Sequence, residues 1–165
     1  MTMNETIEVG AVTGKLRILA QQMRHQILIV DDDELELTLI ADRLKSHGFD
    51  VVGATNGVEA LELLEDHVIA VVLVDWEMPI MNGIELTEKL RARGLEDSCV
   101  IMLTARDSTL DYETGYHAGV DDYLSKKIRD TELLARIHAG LNTFALRRSL
   151  REARAALADA LASKY

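Results

Sequence analysis

The sequence is poor in several residue types, and each scarcity excludes something. It has one cysteine, Cys99, so it forms no internal disulfide and offers no thiolate zinc site. That composition suits a reducing compartment, and a cytoplasmic location is expected. No apolar run reaches the length of a membrane span. Positive charge is in deficit, with 18 Lys and Arg against 28 Asp and Glu and a formal net charge of −10. A nucleic acid or an anionic membrane would repel such a chain in general, so neither partner is expected. Glu5 and Glu8 stand where a secretory or transit peptide is basic or acid-poor, so no leader is expected. There is no internal repeat and no low-complexity tract.

Apolar residues make up 48% of the 165 residues, enough to bury the core of one domain with a little chain to spare. The charge is unevenly placed. Residues 1–25 carry a net +1, residues 26–128 a net −14 and residues 129–165 a net +3. Concentrated negative charge destabilises a compact fold unless a cation or a solvated surface offsets it.

Apolar runs and helical periodicities alternate along the chain. Ile27-Leu28-Ile29-Val30 is short and rich in β-branched residues, which predicts a buried strand ending at Asp31-Asp32-Asp33. Leu35, Leu37, Ile40, Ala41 and Leu44 recur at helical spacing, and Gly48 closes that helix. Phe49-Asp50-Val51-Val52 reads as a second strand, and Val58, Leu61 and Leu64 as an amphipathic helix after the Asn56-Gly57 turn. Ile69–Val74 is the strongest strand and ends at Asp75. A loop with Pro79, Asn82 and Gly83 leads to a helix that closes near Gly94. Val100–Leu103 is a fourth strand ending at Thr104, with Cys99 packed at its start. A less regular helix is expected over about 108–118. Asp122–Ser125 is a short fifth strand ending at Lys126, and from Asp130, read as an N-cap, the chain is helical almost to its end.

Strands alternating with helices predict an α/β fold: a doubly wound, five-stranded parallel sheet with an extended C-terminal helix. In such sheets ligands bind beyond the carboxyl ends of the strands. Asp31 and Asp32, Asp75, Thr104 and Lys126 each follow an apolar strand, so the fold would gather three carboxylates, a hydroxyl and an ammonium at one edge. Taken singly, an Asp after a strand is most often a loop residue or a helix cap. The shared position is what distinguishes these. Three close carboxylates raise one another's pKa, a conflict that a hard divalent cation such as Mg²⁺ removes. Metal, ammonium and hydroxyl together suit a dianionic oxyanion, and this is the equipment of phosphoryl transfer. A carboxylate can itself accept the phosphoryl group.

At these residues the chain resembles the receiver domain of two-component response regulators. The motifs are Ile29-Val30-Asp31-Asp32-Asp33, Val74-Asp75-Trp76-Glu77-Met78-Pro79 leading to Asn82-Gly83, Leu103-Thr104-Ala105, and Gly119-Val120-Asp121-Asp122-Tyr123-Leu124-Ser125-Lys126. The resemblance implies a flavodoxin-like, chemotaxis-regulator-like sheet of order 2-1-3-4-5. It implies Asp75 as phosphoacceptor from a histidine kinase or phosphotransfer protein, and Asp31, Asp32, Asp75 and the Glu77 backbone carbonyl as Mg²⁺ ligands. Lys126 would hold the phosphoryl group, and Thr104 and the Ala105 N–H would reach it. Tyr123 would be an aromatic switch moving in behind Thr104, and Glu77 and Arg106 would tune loss of the phosphoryl group. The family usually has proline after the active-site lysine, often through a cis bond. Here the pair is Lys126-Lys127, for which cis costs about 3–4 kcal/mol and trans is expected. Trp76, beside Asp75, should report binding by fluorescence, and the five histidines read as surface residues.

These readings divide the chain into an N-terminal extension (1–25), a receiver (26–141) and a helical extension (142–165). In the first, Leu16, Leu19, Ala20 and Met23 suit a short amphipathic helix, with disorder as the alternative. In the last, Leu146, Leu150, Ala153, Leu157 and Ala160 recur at 4-3-4-3 spacing, a coiled-coil-like seam expected to pair two copies, with Gly140 and Asn142 as points for a kink. Arg147, Arg148, Arg151 and Arg154 make this tail basic, weak evidence for DNA beside so acidic a domain. The expected function is that of a stand-alone receiver, a phosphoacceptor rather than an enzyme, which assists its own phosphorylation and dephosphorylation and whose output is a contact with a downstream protein. Two rivals stand beside it. One is a receiver-like binding module that works without phosphorylation. The other is an Mg²⁺-dependent phosphohydrolase with an Asp nucleophile, which Asp31-x-Asp33 fits loosely and Leu35, in place of a threonine, fits badly.

Overall fold

The computed structural model describes residues 26–105 and 112–163. The proposed N-terminal helix, Arg106 and the start of the helix expected from 108 lie outside them. In chain order the elements are β1 (Gln26–Val30), α1 (Glu34–Ser46), β2 (Val51–Ala54), α2 (Gly57–Asp66), β3 (Ile69–Asp75), α3 (Gly83–Ala92), β4 (Cys99–Thr104), α4 (Tyr112–Ala118), β5 (Asp122–Ser125) and α5 (Asp130–Ala162). The strands form one parallel sheet of order β2-β1-β3-β4-β5, as the resemblance implied.

The sheet is covered on both faces, and the period-2 alternation of its strands sorts the core into two layers. Ile27, Ile29, Val71, Leu73, Ile101 and Leu103 pack with Leu44 of α1 and with Leu133, Ile137 and Phe144 of α5. Leu28, Val30, Val72, Val74, Val100 and Met102 pack on the other face with Leu61 of α2 and with Leu86 and Leu90 of α3. Every residue of β3 and β4 is buried. Each large aliphatic side chain withdrawn from water contributes about 1.5–3 kcal/mol, so this double layer is what holds the strand ends in place.

Two boundaries differ from the sequence reading. β2 starts at Val51 rather than Phe49, because its register is set by β1, with Ile27 opposite Val51 and Val30 opposite Ala54. Phe49 instead packs against the first layer. Asp130 is not the N-cap of the last helix. Arg129 holds that position without a side-chain cap, and the Asp130 carboxylate takes the Arg43 guanidinium at 2.6 Å. As the periodicity from Asp130 predicted, α5 is one helix through Gly140 and Asn142. Gly140 serves close packing there, because a Cβ on it would stand 3.0 Å from Val71 Cγ2 and 3.3 Å from Cys99 Sγ.

The first part of the extension is fastened to the domain. Phe144 is buried, Arg147 pairs with Asp121, which also takes Arg91 at 2.9 Å, and Arg151 pairs with Asp97 at 2.6 Å. After Arg151 the helix is exposed all round through Ala162. Among the described residues no helix is long and apolar enough to cross a membrane.

Candidate functional site

The carboxyl ends of the strands converge as the alternation predicted. Asp75 is the last residue of β3, lies opposite Leu103 and is buried at 7% exposure. The Trp76 N–H donates to the Leu103 carbonyl at 3.0 Å, which places Thr104 beside the turn that follows Asp75. Thr104 is buried at the end of β4 and faces Ser125 across the ladder. The Lys126 N–H donates to the Thr104 carbonyl at 3.0 Å, carrying the lysine into the site.

The loop after Asp75 is held by close backbone approach. Gly83 donates its N–H to the Trp76 carbonyl at 3.0 Å, and a Cβ on Gly83 would sit 2.4 Å from the Asp75 carbonyl oxygen. Only glycine allows the first turn of α3 to lie this close. Asn82 caps that helix through a reciprocal pair with Glu85. Ile80, in the same loop, has φ of 71° and is 94% exposed. A β-branched residue in that region is strained by about 1–3 kcal/mol. Nothing in the hydrophobic pattern announced it.

Asp31, Asp32 and Asp75 each offer a carboxylate oxygen, and these oxygens lie within 4.8 Å of one another. Asp31 is fully buried and Asp32 exposed at the mouth. Asp31 Oδ1 accepts the Asp33 N–H at 2.9 Å. Its other oxygen, Oδ2, has no directed hydrogen bond, and the Lys126 ammonium at 2.6 Å meets it as an ion contact. Three hard oxygen donors with a buried oxygen short of hydrogen bonds fit a hard divalent cation. The third acid of the run does something else. Asp33 caps α1, its carboxylate accepting from the Leu35 and Glu36 N–H groups at 2.9 and 3.2 Å. A phosphohydrolase reading needs that carboxylate for chemistry, and here it holds a helix.

Lys126 Nζ lies 3.3 Å from Asp75 Oδ2 and 3.5 Å from Glu36 Oε2, besides its contact with Asp31. Burial works against its charge, but Asp31 and Asp75 outweigh burial and keep the ammonium protonated beyond the ordinary lysine range. Asp75 moves the opposite way from a simply paired carboxylate. Burial pushes its pKa up to about 6, Asp31 adds to the rise, and Lys126 and the Glu77 N–H oppose it. Glu36 escaped the sequence reading, where it looked like an ordinary first-turn acid. Lys127 is exposed, and among the described residues no peptide is cis, so Lys126 occupies the site without a following proline.

The other expected residues lie nearby. Ala105 is exposed just past β4, and Glu77 is exposed beyond Asp75. Tyr123 packs against Trp76 with ring centroids 6.3 Å apart, and its hydroxyl lies over Gly115, where a Cβ would meet it at 1.7 Å. Cys99 is buried at the start of β4, and the four described histidines are exposed or half-buried.

The model of the response regulator receiver domain matches residues 27–138. The chain belongs to this family. The receiver is 45% identical over 115 residues to the transcriptional regulatory protein CpxR of Escherichia coli (strain K12), covering 70% of this chain and 48% of that protein. It is 40% identical over 114 residues to the response regulator MprA of Mycobacterium sp. (strain KMS), covering 69% and 49%. The chain thus spans about half the length of the curated relatives it matches. Among solved structures, a CheY-like receiver domain protein from Methanospirillum hungatei JF-1 superposes with a TM-score of 0.67 at 31% identity, over 74% of this chain and 98% of that one. A Francisella response regulator receiver domain does so with a TM-score of 0.65 at 34% identity, over 72% and 97%. The flavodoxin-like fold and the two-component assignment both follow.

Proposed function

We propose that this receiver accepts a phosphoryl group on Asp75 from a histidine kinase or phosphotransfer protein, and that the acylphosphate switches a protein-binding surface. The observation that carries this reading is the buried Asp75 carboxylate, placed between an acid cluster and the Lys126 ammonium at 3.3 Å. Mg²⁺, held by Asp31, Asp32, Asp75 and the Glu77 carbonyl, would neutralise charge on the transferring group. An Asp75 oxygen attacks phosphorus as the bond from phosphorus to the donor atom breaks. Lys126 and the Thr104 hydroxyl bind phosphoryl oxygens, and the Ala105 N–H adds a donor. Glu77 and Arg106 would tune loss of the group, as the family resemblance implies.

The new charge, nearly two units, is read by Thr104 and by Tyr123, whose ring lies between Trp76 and Gly115. The downstream contact is then made by the face around α4, β5 and α5. Because α5 runs unbroken into the tail, its exposed Leu146, Leu150, Leu157 and Leu161 suit pairing with a second copy, whose geometry the switch would set. A protein partner suits that tail better than nucleic acid. Of its four arginines, Arg147, Arg148 and Arg151 are already paired with Asp121, Glu152 and Asp97. The protein acts in the cytoplasm.

Incubation with Mg²⁺ and acetyl phosphate, followed by intact mass, tests the reading. A gain of one phosphoryl group that Asp75→Asn abolishes is expected. A folded, Mg²⁺-binding protein that gains none, from this donor or from a kinase, would instead be a phosphorylation-independent module.

A further inference from the structure

We propose that Glu36 is a positioning residue that holds the Lys126 ammonium in the unphosphorylated state and competes with the incoming phosphoryl group for it. The proposal rests on the Asp75 phosphoacceptor reading and deepens it. Lys126 has three carboxylate neighbours, Asp31 at 2.6 Å, Asp75 at 3.3 Å and Glu36 at 3.5 Å. Asp31 is fully buried and Asp75 nearly so, and both are fixed at strand ends. Glu36 differs from them, with a side chain 43% exposed on the first turn of α1. It reaches the lysine from a different element, 90 positions away in the chain. The Asp33 cap on the Glu36 N–H sets that turn, so the side chain is aimed by backbone geometry.

An acid in the first turn of a helix is ordinary, since it complements the helix dipole. Glu34 does that at the same terminus and is exposed. Residues two apart point to different sides of a helix, so Glu34 is the natural comparison for Glu36. In the transfer step an Asp75 oxygen bonds to phosphorus, and acetate leaves acetyl phosphate with the electron pair of the broken P–O bond. A dianion then stands where Asp75 alone stood, and it needs Lys126. The Glu36 carboxylate both repels that dianion and offers the ammonium another partner. Being half exposed, it can turn to water once the phosphoryl group wins, so it sets the ease of the transfer without blocking it.

The experiment compares wild type, Glu36→Gln and Glu34→Gln, each with Mg²⁺ and acetyl phosphate, following labelling at Asp75 by intact mass. Glu36→Gln is expected to be labelled about two- to fivefold faster, the size of a partly exposed charge effect. Glu34→Gln, with the same change in net charge, should match wild type. The advantage of Glu36→Gln should shrink as salt rises from 0.05 to about 0.5 M, since exposed charges are screened. Mg²⁺ affinity, read from Trp76 fluorescence, should stay within about twofold in both variants, because Glu36 touches the lysine and lies outside the acid cluster. Equal rates for wild type and Glu36→Gln, or equal gains in the two variants, would overturn the proposal. If wild type takes no label from acetyl phosphate or from a kinase, the phosphoacceptor reading falls and this proposal with it.

Discussion

Replacing Asp75 by asparagine in the metal-free protein should make it more stable, although it destroys the proposed phosphoacceptor. The pKa of Asp75 stands at about 6 in the fold against 3.8 for an ordinary carboxyl, with burial the largest cause. A folded pKa above the unfolded one means the fold prefers the protonated group. That preference is fully present below pH 3.8 and is lost as pH rises through 6. Above that, the ionised carboxylate costs the native state up to about 3 kcal/mol, from about two units at 1.36 kcal/mol each. Asparagine keeps the shape without the charge, and an imperfect match of hydrogen bonds leaves about 1–2 kcal/mol of that gain. For a chain of this size each kcal/mol moves Tm by about 2–4 °C. Thermal unfolding followed by circular dichroism at pH 8 in EDTA should thus place Asp75→Asn about 2–8 °C above wild type. At pH 5 the gap should narrow, because wild type is then mostly protonated. With excess Mg²⁺ at pH 8 the order should reverse, since binding to the native state stabilises the intact acid cluster more. A variant no more stable than wild type at pH 8 in EDTA, or a gap that ignores pH, would refute the account of Asp75 as a carboxylate held against its burial.

Other consequences can be measured on the same material. Gly83→Ala should cost about 1–3 kcal/mol in urea unfolding and should weaken Mg²⁺ binding as well, because its Cβ would push the Asp75 carbonyl. Ile80→Gly should raise stability by about 1 kcal/mol by relieving the positive φ, and unchanged stability would argue against strain there. Burial, assisted by Asp121, pushes the Cys99 thiol up to about 12, so iodoacetamide should fail to label it at pH 8 until the protein unfolds. The sign also predicts that stability falls as pH climbs from about 9 toward 12, the range in which the unfolded thiol ionises first. Leu157→Glu should abolish self-association in light scattering while leaving the domain's unfolding free energy within about 0.5 kcal/mol of wild type, because Leu157 is exposed and touches no core.

The sequence by itself determined the alternation of apolar runs and amphipathic helices, and so the parallel, doubly covered sheet. It also determined which side chains stand at the strand ends, because a strand buried on both faces must stop where a carboxylate, hydroxyl or ammonium begins. Asp31, Asp75, Thr104 and Lys126 were legible for that reason. The division of labour among neighbours was not, since it depends on directions that spacing does not encode. Asp31, Asp32 and Asp33 are alike in the chain, yet Asp31 is buried against Lys126, Asp32 faces solvent and Asp33 caps α1. Glu36 meets Lys126 only because α1 and β5 are brought together by the sheet. The start of β2 was set by its register on β1, and Asp130 was drawn from a cap to an ion pair by an arginine of α1. Likewise α5 goes on packing against the domain past 141, since Phe144 and Arg147 find a core and an acid that only the folded chain assembles. Local pattern decides which residues are apolar and where they recur, and tertiary packing decides which of several equivalent polar groups shall meet.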